Sequence, residues 1–382
     1  MAPIPPPQPA ATGVSRRGAR LWVLRLTFLA AVVALSLGLL DALLVVAPGV
    51  FGDQRANEIF SRYDTRPGGI YVWEKRSRMR FMWPDFATEN YWSGYRWQHS
   101  TDALGFRNPP GIPRDVLLLG DSLIHGHGVE EWETVAHFLR AEHQVGAYSM
   151  ARQGAALYDE YVFLRTYLPE LAPTSVLLFV FLNDFDDLEV YRTTAEIAEM
   201  PELDRFDYAA IREWTKALPE RLPSRPRRWF WRRPSVRLLL SVATELRGLA
   251  FSFTSPAWAA EPAADPPFLA PLLDPDRRAR QERYYRTILG DLAKRCRSRA
   301  ITLRVVYLST QADPGSYGEA EETAVRLLRD AAGSDLLVYD TRTLFSGCES
   351  CFLPRDGHYS ATGHRRLARF LAENVLPGAL AP

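Results

Sequence analysis

Cysteine is scarce in this chain, and several motifs that would fix a biochemical class are missing. Three cysteines among 382 residues are too few for a disulfide framework or a cysteine-rich zinc module. The 46 basic and 45 acidic residues nearly cancel, so nucleic acid is not expected as a partner. P-loop, dinucleotide-binding and HExxH motifs do not occur, and neither a cofactor nor a metal is therefore expected.

The amino-terminal part of the chain contains a long apolar segment. Residues 1–20 are rich in proline and small side chains, which predicts a disordered tail. Residues 21–47 predict a membrane anchor, because the stretch 26–47 holds a single charge, Asp41. As a helix that stretch would rise about 33 Å, against a hydrocarbon core of about 30 Å. A buried core helix is the alternative, although the stretch has no polar face.

Charged residues around the segment predict its orientation. Asp53 and Glu58 follow it, and four arginines precede it or lie at its start: Arg16, Arg17, Arg20 and Arg25. The positive-inside rule then gives a single-pass inner (plasma) membrane protein with a cytoplasmic amino terminus and an extracytoplasmic, periplasmic domain. A cleaved signal peptide is the alternative, but its small-residue site at Ala47 is followed by Pro48.

The rest of the chain changes character at residue 113. Residues 48–112 are aromatic and lack a clean period, and we treat them as a juxtamembrane segment. From 113 to 382, short apolar runs alternate with helical stretches, which is typical of βαβ units, a parallel sheet and an α/β fold. The predicted strands are 116–122, 146–150, 175–182, 301–308 and 335–340. The predicted helices are 132–142, 156–169, 276–299, 318–333 and 363–376.

Residues 186–275 interrupt this alternation and predict an insertion. Its stretch 225–234, RPRRWFWRRP, has two interpretations. The arginines and aromatic rings could lie at a bilayer interface, or the tryptophans could pack inward beneath a solvated arginine face. The following stretch, 236–251, is too charged for a second span.

Polar residues that could perform nucleophilic catalysis follow the predicted strands. Ser122, in Gly120-Asp121-Ser122, ends the first strand, where a turn projects its side chain into the crevice at the carboxyl edge of a parallel sheet. A nucleophile needs a base, an acceptor that orients the base, and donors for the oxyanion. His358 and Asp356 can fill the first two roles. The Ser122 and Gly154 backbone N–H groups and the Asn183 side chain can supply the donors.

These blocks resemble the SGNH/GDSL hydrolase superfamily. The resemblance rests on GDS at 120–122, Gly154, Asn183-Asp184 and the Asp356/His358 stretch, and covers roughly residues 100–185 and 280–375. It implies a flavodoxin-like three-layer α/β/α fold, preceded here by one transmembrane helix, and hydrolysis or transfer of acyl esters. Asp356 stands two residues before His358, a spacing like that of the periplasmic alginate O-acetyltransferases.

Several side chains near these blocks have competing interpretations. His364 is an alternative base that more simply begins the last helix, and His125 and His127 line the pocket or serve packing. Cys348 and Cys351 form a CxxC, which outside the cytoplasm suggests a disulfide. A redox motif, or a zinc site formed with Asp356 and His358, is the alternative. Cys296 is expected to be a buried free thiol.

Three functions follow from the residues and the resemblance. The first is a serine-dependent esterase or deacylase that acts on acyl esters, in particular acetyl esters, of a cell-envelope glycan or lipid. The second is an O-acyltransferase that receives the acyl group from a membrane donor partner and passes it to an envelope polysaccharide. The third is an inactive binding module, which is disfavoured because no member of the triad is missing.

Overall fold

The computed structural model describes residues 16–185, 206–252, 270–309 and 318–377. Most of the predicted tail, and residues 186–205 and 253–269 of the predicted insertion, lie outside the described residues. The described end of the tail, 16–20, belongs to the first helix.

The described residues form nine strands and thirteen α-helices. The strands are β1 (Tyr71–Glu74), β2 (Met79–Met82), β3 (Ala87–Trp92), β4 (Tyr95–Ser100), β5 (Val116–Leu119), β6 (Ala147–Ser149), β7 (Ser175–Val180), β8 (Thr302–Tyr307) and β9 (Leu337–Asp340). The helices are α1 (Arg16–Val46), α2 (Asp53–Phe60), α3 (Ser122–His125), α4 (Val135–His143), α5 (Leu157–Leu171), α6 (Tyr208–Lys216), α7 (Leu218–Arg221), α8 (Arg225–Arg232), α9 (Pro234–Ser252), α10 (Ala270–Leu273), α11 (Pro275–Arg297), α12 (Gly318–Ala332) and α13 (Ala361–Phe370).

The central sheet has five parallel strands in the order β6-β5-β7-β8-β9. Each strand falls within one of the five predicted runs, and helices follow as predicted, so the α/β fold with a parallel sheet is confirmed. In this order the chain leaves β5 toward one edge for β6 and then returns to the other side of β5 for β7. The carboxyl ends of β5 and β7 therefore border the switch point, where α/β sheets bind their ligands.

Helices cover both faces of the sheet. Val116 and Leu118 of β5 belong to the apolar cluster that includes residues of α4 and α13. Leu117 and Leu119, which alternate with them, belong to the larger cluster with residues of α5, α11 and α12. Successive side chains of a strand point to opposite faces, so the uninterrupted run VLLL is explained by burial on both faces.

The segment 48–112 is more ordered than its sequence texture indicates. It forms α2 and two antiparallel hairpins, β1–β2 and β3–β4. Apolar side chains of the first hairpin and its flanks enter the larger cluster of the central domain, so one core extends across residue 113.

One described helix is long and apolar enough to cross a membrane. It comprises Arg20–Val46, within α1, and most of its apolar side chains are exposed. This is the helix predicted as the anchor, and its length and composition are also those of a signal sequence.

Candidate active site

Ser122 lies at the start of the short helix α3, directly after β5. The turn is fixed by Asp121, whose Oδ1 accepts the Leu123 N–H at 2.9 Å. A Cβ atom at Gly120 would come within 2.8 Å of Ile124 and 3.3 Å of Phe179, so only glycine fits between the turn and β7. The Ser122 hydroxyl is thereby held at the carboxyl edge of the sheet.

His358 approaches Ser122 from the loop before α13. Its Nε2 lies 2.9 Å from Ser122 Oγ, although 236 residues separate the two in sequence. Asp356 Oδ1 lies 3.3 Å from His358 Nδ1 and accepts the His358 backbone N–H at 3.1 Å. Gly357 between them has φ 74°, a conformation that glycine adopts without strain. This left-handed residue lets a spacing of two bring the carboxylate back to the ring.

The loop that carries Asp356 and His358 is tied down at several points. Cys348 and Cys351 form a disulfide, so neither thiol is available for a zinc site. The Leu353 N–H donates to the His358 carbonyl at 2.7 Å, and the Ser360 N–H donates to the Cys351 carbonyl at 2.9 Å. Cys296 is a buried free thiol, as the sequence predicts.

His127 also contacts Asp356. Its Nε2 lies 3.2 Å from Asp356 Oδ2, and its ring stacks on that of His358 with centroids 4.1 Å apart. Its Nδ1 lies 2.9 Å from the Gln153 side-chain oxygen. Asp356 therefore contacts both of two stacked imidazoles, with one carboxylate oxygen at the edge of each ring, and only the His358 ring reaches Ser122.

Aromatic residues of the segment 48–112 enclose His127. The ring of Tyr63 stacks on it at 5.7 Å, and those of Trp97 and Trp92 lie at 5.1 Å and 5.7 Å. Sequence analysis missed these three residues because their segment has no periodic pattern. The one indication of them in the sequence is the high number of aromatic residues in the segment before Gly120-Asp121-Ser122.

Burial and charge set the protonation states around Asp356. Burial alone would raise the pKa of Asp356, but hydrogen bonds from His127 and His358 outweigh it and hold that pKa below its ordinary value. Burial, together with the nearby His358, lowers the pKa of His127 to about 4. At neutral pH an ionised Asp356 thus faces a neutral His127.

The two predicted oxyanion donors besides Ser122 lie in the loops after β6 and β7. Gly154 has φ 61° and belongs to a loop that the Arg152 N–H ties to the Gly120 carbonyl at 3.0 Å. Asn183 lies in a helical stretch, 182–185, that follows β7, and its side chain hydrogen-bonds the Asp121 carboxyl group. Both loops thus meet the Gly120-Asp121 turn that carries Ser122.

The other two histidines near the motifs, His364 and His125, contact backbone groups and not Ser122. His364 Nδ1 accepts the Val135 N–H at 3.2 Å, and His125 Nδ1 lies 3.2 Å from the Ala151 carbonyl oxygen. Burial lowers the pKa of each of these rings to about 3. Of the candidate bases, His358 is therefore the one that contacts the Ser122 hydroxyl.

Arg107 and Asn108, near the end of the segment 48–112, position the loops around the site. Arg107 is buried, and its two terminal nitrogens donate to four carbonyls, those of Gln98, His125, Gly126 and Val129. The Asn108 side chain pairs with both backbone groups of Ser149, at 2.8 and 2.9 Å, and so extends the edge strand β6.

Among the described residues, one group of side chains has the spacing of a metal site. Ligand atoms of His127, Asp356 and His358 lie within 4.8 Å of one another. A metal at His358 Nε2 would take the lone pair that faces Ser122, and a metal at Nδ1 would leave the ring proton on Nε2. Metal binding and the role of His358 as a base are therefore mutually exclusive.

Comparison with known proteins gives matches to solved structures alone. No family model matches the chain, and no curated protein matches it. A protein from Desulfitobacterium hafniense DCB-2, described as of the lipolytic G-D-S-L family, is 12% identical over 67% of this chain and 97% of its own, with a TM-score of 0.35. An acetylxylan esterase from Geobacillus stearothermophilus, solved as a catalytic mutant, is 12% identical over 71% of this chain and 95% of its own, with a TM-score of 0.32.

A third match is a carbohydrate esterase family 2 enzyme with a carbohydrate-binding domain from Corynascus thermopiles (Myceliophthora fergusii). It is 11% identical over 75% of this chain and 71% of its own, with a TM-score of 0.37. At these TM-scores the matches carry no argument about the reaction, which rests on the geometry above.

Proposed function

We propose that this chain is a serine-dependent ester hydrolase of the SGNH/GDSL type. The observation that carries the proposal is the 2.9 Å contact between Ser122 Oγ and His358 Nε2 at the carboxyl edge of the sheet. Asp356, held on the far side of the imidazole, completes the nucleophile, base and orienting acceptor that acyl transfer requires.

The reaction follows from these positions. His358 Nε2 accepts the hydroxyl proton as Ser122 Oγ attacks the ester carbonyl, and the ionised Asp356 stabilises the imidazolium that forms. The Ser122 and Gly154 N–H groups and the Asn183 amide donate to the oxyanion. An amide nitrogen carries two N–H donors, so Asn183 can bond Asp121 and the oxyanion together. The protonated His358 then gives its proton to the leaving alcohol.

The acyl-enzyme can be resolved by two acceptors. Water gives an esterase or deacylase, and we favour acyl esters, in particular acetyl esters, of a cell-envelope glycan or lipid. A sugar hydroxyl gives an O-acyltransferase, which would take its acyl group from a membrane donor partner. The same three residues serve both reactions, because His358 can deprotonate either acceptor.

We further propose that α1 anchors this domain to the outer face of the inner membrane. Arginines at and before the start of the apolar segment, and acidic residues after it, support this orientation. The Cys348–Cys351 disulfide also supports it, since disulfides persist in oxidising compartments. A reporter fused after residue 60 should be active outside the cytoplasm, and activity inside would overturn the orientation.

Substitution at the site tests the mechanism. We expect Ser122→Ala to abolish acyl-enzyme formation from chromogenic acetyl and longer-chain esters. Asn183→Ala should slow turnover by roughly 10²–10³, as expected on removing one oxyanion donor. Full activity of Ser122→Ala would refute the mechanism, and unchanged turnover of Asn183→Ala would remove that residue from the oxyanion site.

Adding glycan acceptors distinguishes the two functions, because a transferase acylates the glycan whereas a hydrolase releases free acid.

A further inference from the structure

The outer end of α1 is bound to part of the insertion, which we call the α8–α9 hairpin (residues 225–246). Asp41 Oδ2 pairs with Arg233 Nε at 2.7 Å, and Asp41 Oδ1 accepts the Ser235 N–H at 2.7 Å. Leu40 of α1 and Leu238 of α9 pack against one apolar cluster, which contains Leu44. The junction between α8 and α9 is thus held at the level of Asp41.

That level lies in the outer half of a bilayer around α1, whichever end of the apolar segment is used to place it. With a hydrocarbon core of about 30 Å over the stretch 21–40, Arg20 would lie at the inner boundary and Asp41 at the outer one. With the core over the stretch 26–47, Asp41 would lie about 9 Å inside the outer boundary. In both placements the hairpin that binds Asp41 would lie at the depth of the outer leaflet.

Helix α9 presents a row of apolar side chains to the outside. Arg237 and Ser241 face the protein: Arg237 donates to the Ser61 carbonyl at 2.6 Å, and Ser241 contacts Arg55. Exposed apolar residues at helical spacing are Leu239, Val242, Ala243 and Leu246. Two polar residues are exposed beside them: Thr244, whose hydroxyl donates to the Leu240 carbonyl, and Glu245, which pairs with Arg55. A face of this kind is stable against hydrocarbon and costly against water.

Helix α8 presents aromatic rings and cations together. Trp229 and Phe230 are 63% and 50% exposed. Trp231 is half-buried, so of the two tryptophans only Trp231 packs inward as one sequence interpretation has it. The eight residues of α8 include no acid and four arginines: Arg225, Arg227, Arg228 and Arg232. Tryptophan and arginine are the residues that partition to the headgroup region of a bilayer.

A groove of about 340 Å³ separates α8 from α1. It is lined by Gly38, Asp41, Trp229, Arg232, Arg233 and Pro234. Arg233 is paired with Asp41, and Arg232 donates from Nε to the Gly68 carbonyl. A lipid phosphate in the groove would meet these two guanidinium groups beside an apolar wall.

We propose that the α8–α9 hairpin is embedded in the outer leaflet of the bilayer that α1 crosses. The exposed face of α9 contacts acyl chains, and the α8 arginines bind the phosphates of anionic phospholipids. The inference rests on the proposed membrane span, and it gives the catalytic domain a second attachment. The domain then has a fixed height and orientation above the bilayer.

Site-specific labelling of the full chain in nanodiscs tests the embedding. An environment-sensitive fluorophore is attached at Leu239→Cys, and the nanodisc lipids carry spin-label quenchers on their acyl chains. Leu337→Cys, at the start of the outermost strand β9, is the matched control, since the two side chains are 58% and 64% exposed. Leu35→Cys, in α1, is the positive control. The remaining cysteines are buried or disulfide-bonded, so labelling is selective.

We expect several-fold quenching at positions 35 and 239 and none at 337. Quenching at 35 alone would show that α1 spans while the hairpin stands outside the bilayer, which overturns the inference and spares the anchor. Absence of quenching at both 35 and 239 would refute the anchor and the inference together. Ester hydrolysis is measured on the same samples, so a failure of the catalytic proposal is distinguished from either.

The arginines are tested with the exposed pair Arg225 and Arg227. The double variant Arg225→Gln/Arg227→Gln should bind phosphatidylglycerol in mixed micelles more weakly, by roughly fivefold per arginine. Lysine at both positions should restore binding, because charge is retained. Unchanged phosphatidylglycerol binding by the glutamine variant would show that these arginines do not contact lipid phosphate, and would overturn that part of the proposal.

Discussion

His127 is the residue whose position adds most to the expected triad. Its Nε2 lies 3.2 Å from the Asp356 oxygen that does not face His358, and its ring stacks on the His358 ring. A carboxylate with one histidine partner can rotate, whereas one held from both sides presents a fixed oxygen to His358. We therefore interpret His127 as a positioning residue, which acts through Asp356 and does not touch the nucleophile.

A pair of substitutions tests this role. We expect His127→Phe, which keeps an aromatic ring and loses the donor, to lower kcat about 10- to 100-fold with little change in KM, because it loosens the orientation of the base. His127→Gln, whose amide can still donate to Asp356, should recover most of that loss. The measurements are steady-state kinetics and thermal unfolding of both variants. Equal kcat loss in both variants, in step with lost stability, would indicate a packing role alone.

The sequence marks the proposed catalytic residues more clearly than the residues that support them. Ser122 and the loops carrying Gly154 and Asn183 follow strand ends, where α/β sheets present side chains to ligands. Asp356 and His358 lie in the loop before the last helix, where the motif with Ser122 indicates them. His127 has no such marker, because its partner Asp356 is 229 positions away and no short-range spacing encodes that contact. The aromatic enclosure of His127 likewise arises from long-range packing, which local periodicity does not report.

At the scale of single elements, α5 has two glutamates in opposite environments. Glu160 is buried, and within the part of the chain that the structure describes neither of its carboxylate oxygens has a hydrogen-bond partner. Burial, and then the nearby Asp121, raises its pKa well above the ordinary value. Glu170 lies at the other end of the helix, where a hydrogen bond from Arg212 lowers its pKa.

These shifts predict opposite effects of pH on stability. The folded pKa of Glu160 exceeds its unfolded value, so this carboxyl destabilises the fold increasingly as pH rises above that unfolded value. Glu160→Gln should therefore unfold at a higher temperature than the parent at pH 8, and the gap should close near pH 4. Thermal unfolding at both pH values checks this.

Glu170→Gln is the matched control on the same helix. Its folded pKa is lowered, so its contribution to stability is present above its unfolded pKa and is lost as pH falls. The glutamine variant should be slightly less stable than the parent at pH 8, since the pair with Arg212 is partly exposed and worth little. A Glu160→Gln protein no more stable than the parent at pH 8 would contradict the buried, ionisable state of Glu160.

At the scale of the whole molecule, the segment 48–112 completes the catalytic domain. It supplies part of the wall around His127, and eight of its apolar side chains enter the main core: Ile70, Tyr71, Met79, Phe81, Met82, Trp83, Phe86 and Phe106. At about 2 kcal/mol for each buried side chain, their loss would exceed the net stability of a typical domain, about 5–15 kcal/mol.

Two truncations test this dependence. A chain that begins at residue 48 keeps the segment, and in detergent we expect it to fold and to hydrolyse the same esters as the full chain. A chain that begins at residue 113 should be unfolded or aggregated. Circular dichroism and ester turnover on both chains are the measurements. A folded and active 113–382 chain would show that the hairpins are dispensable and that the core divides at residue 113.

The parallel sheet was predictable because each strand is a short apolar run between helical stretches. The hairpin β3–β4 was not predictable in this way. Burial alternates along both of its strands, but several of the buried side chains are polar: Thr88, Asn90 and His99. The apolar alternation that marks a half-buried strand is therefore absent from the sequence.

The long separation between Ser122 and His358 has a consequence for how the protein is made. A chain is synthesised from its amino terminus, so α1 and the Ser122 turn leave the ribosome well before the loop with Asp356 and His358. Until that loop has emerged, Ser122 has no histidine base within reach. If Ser122 is the nucleophile, as we propose, the order of the elements along the chain delays its activation until synthesis has passed residue 358.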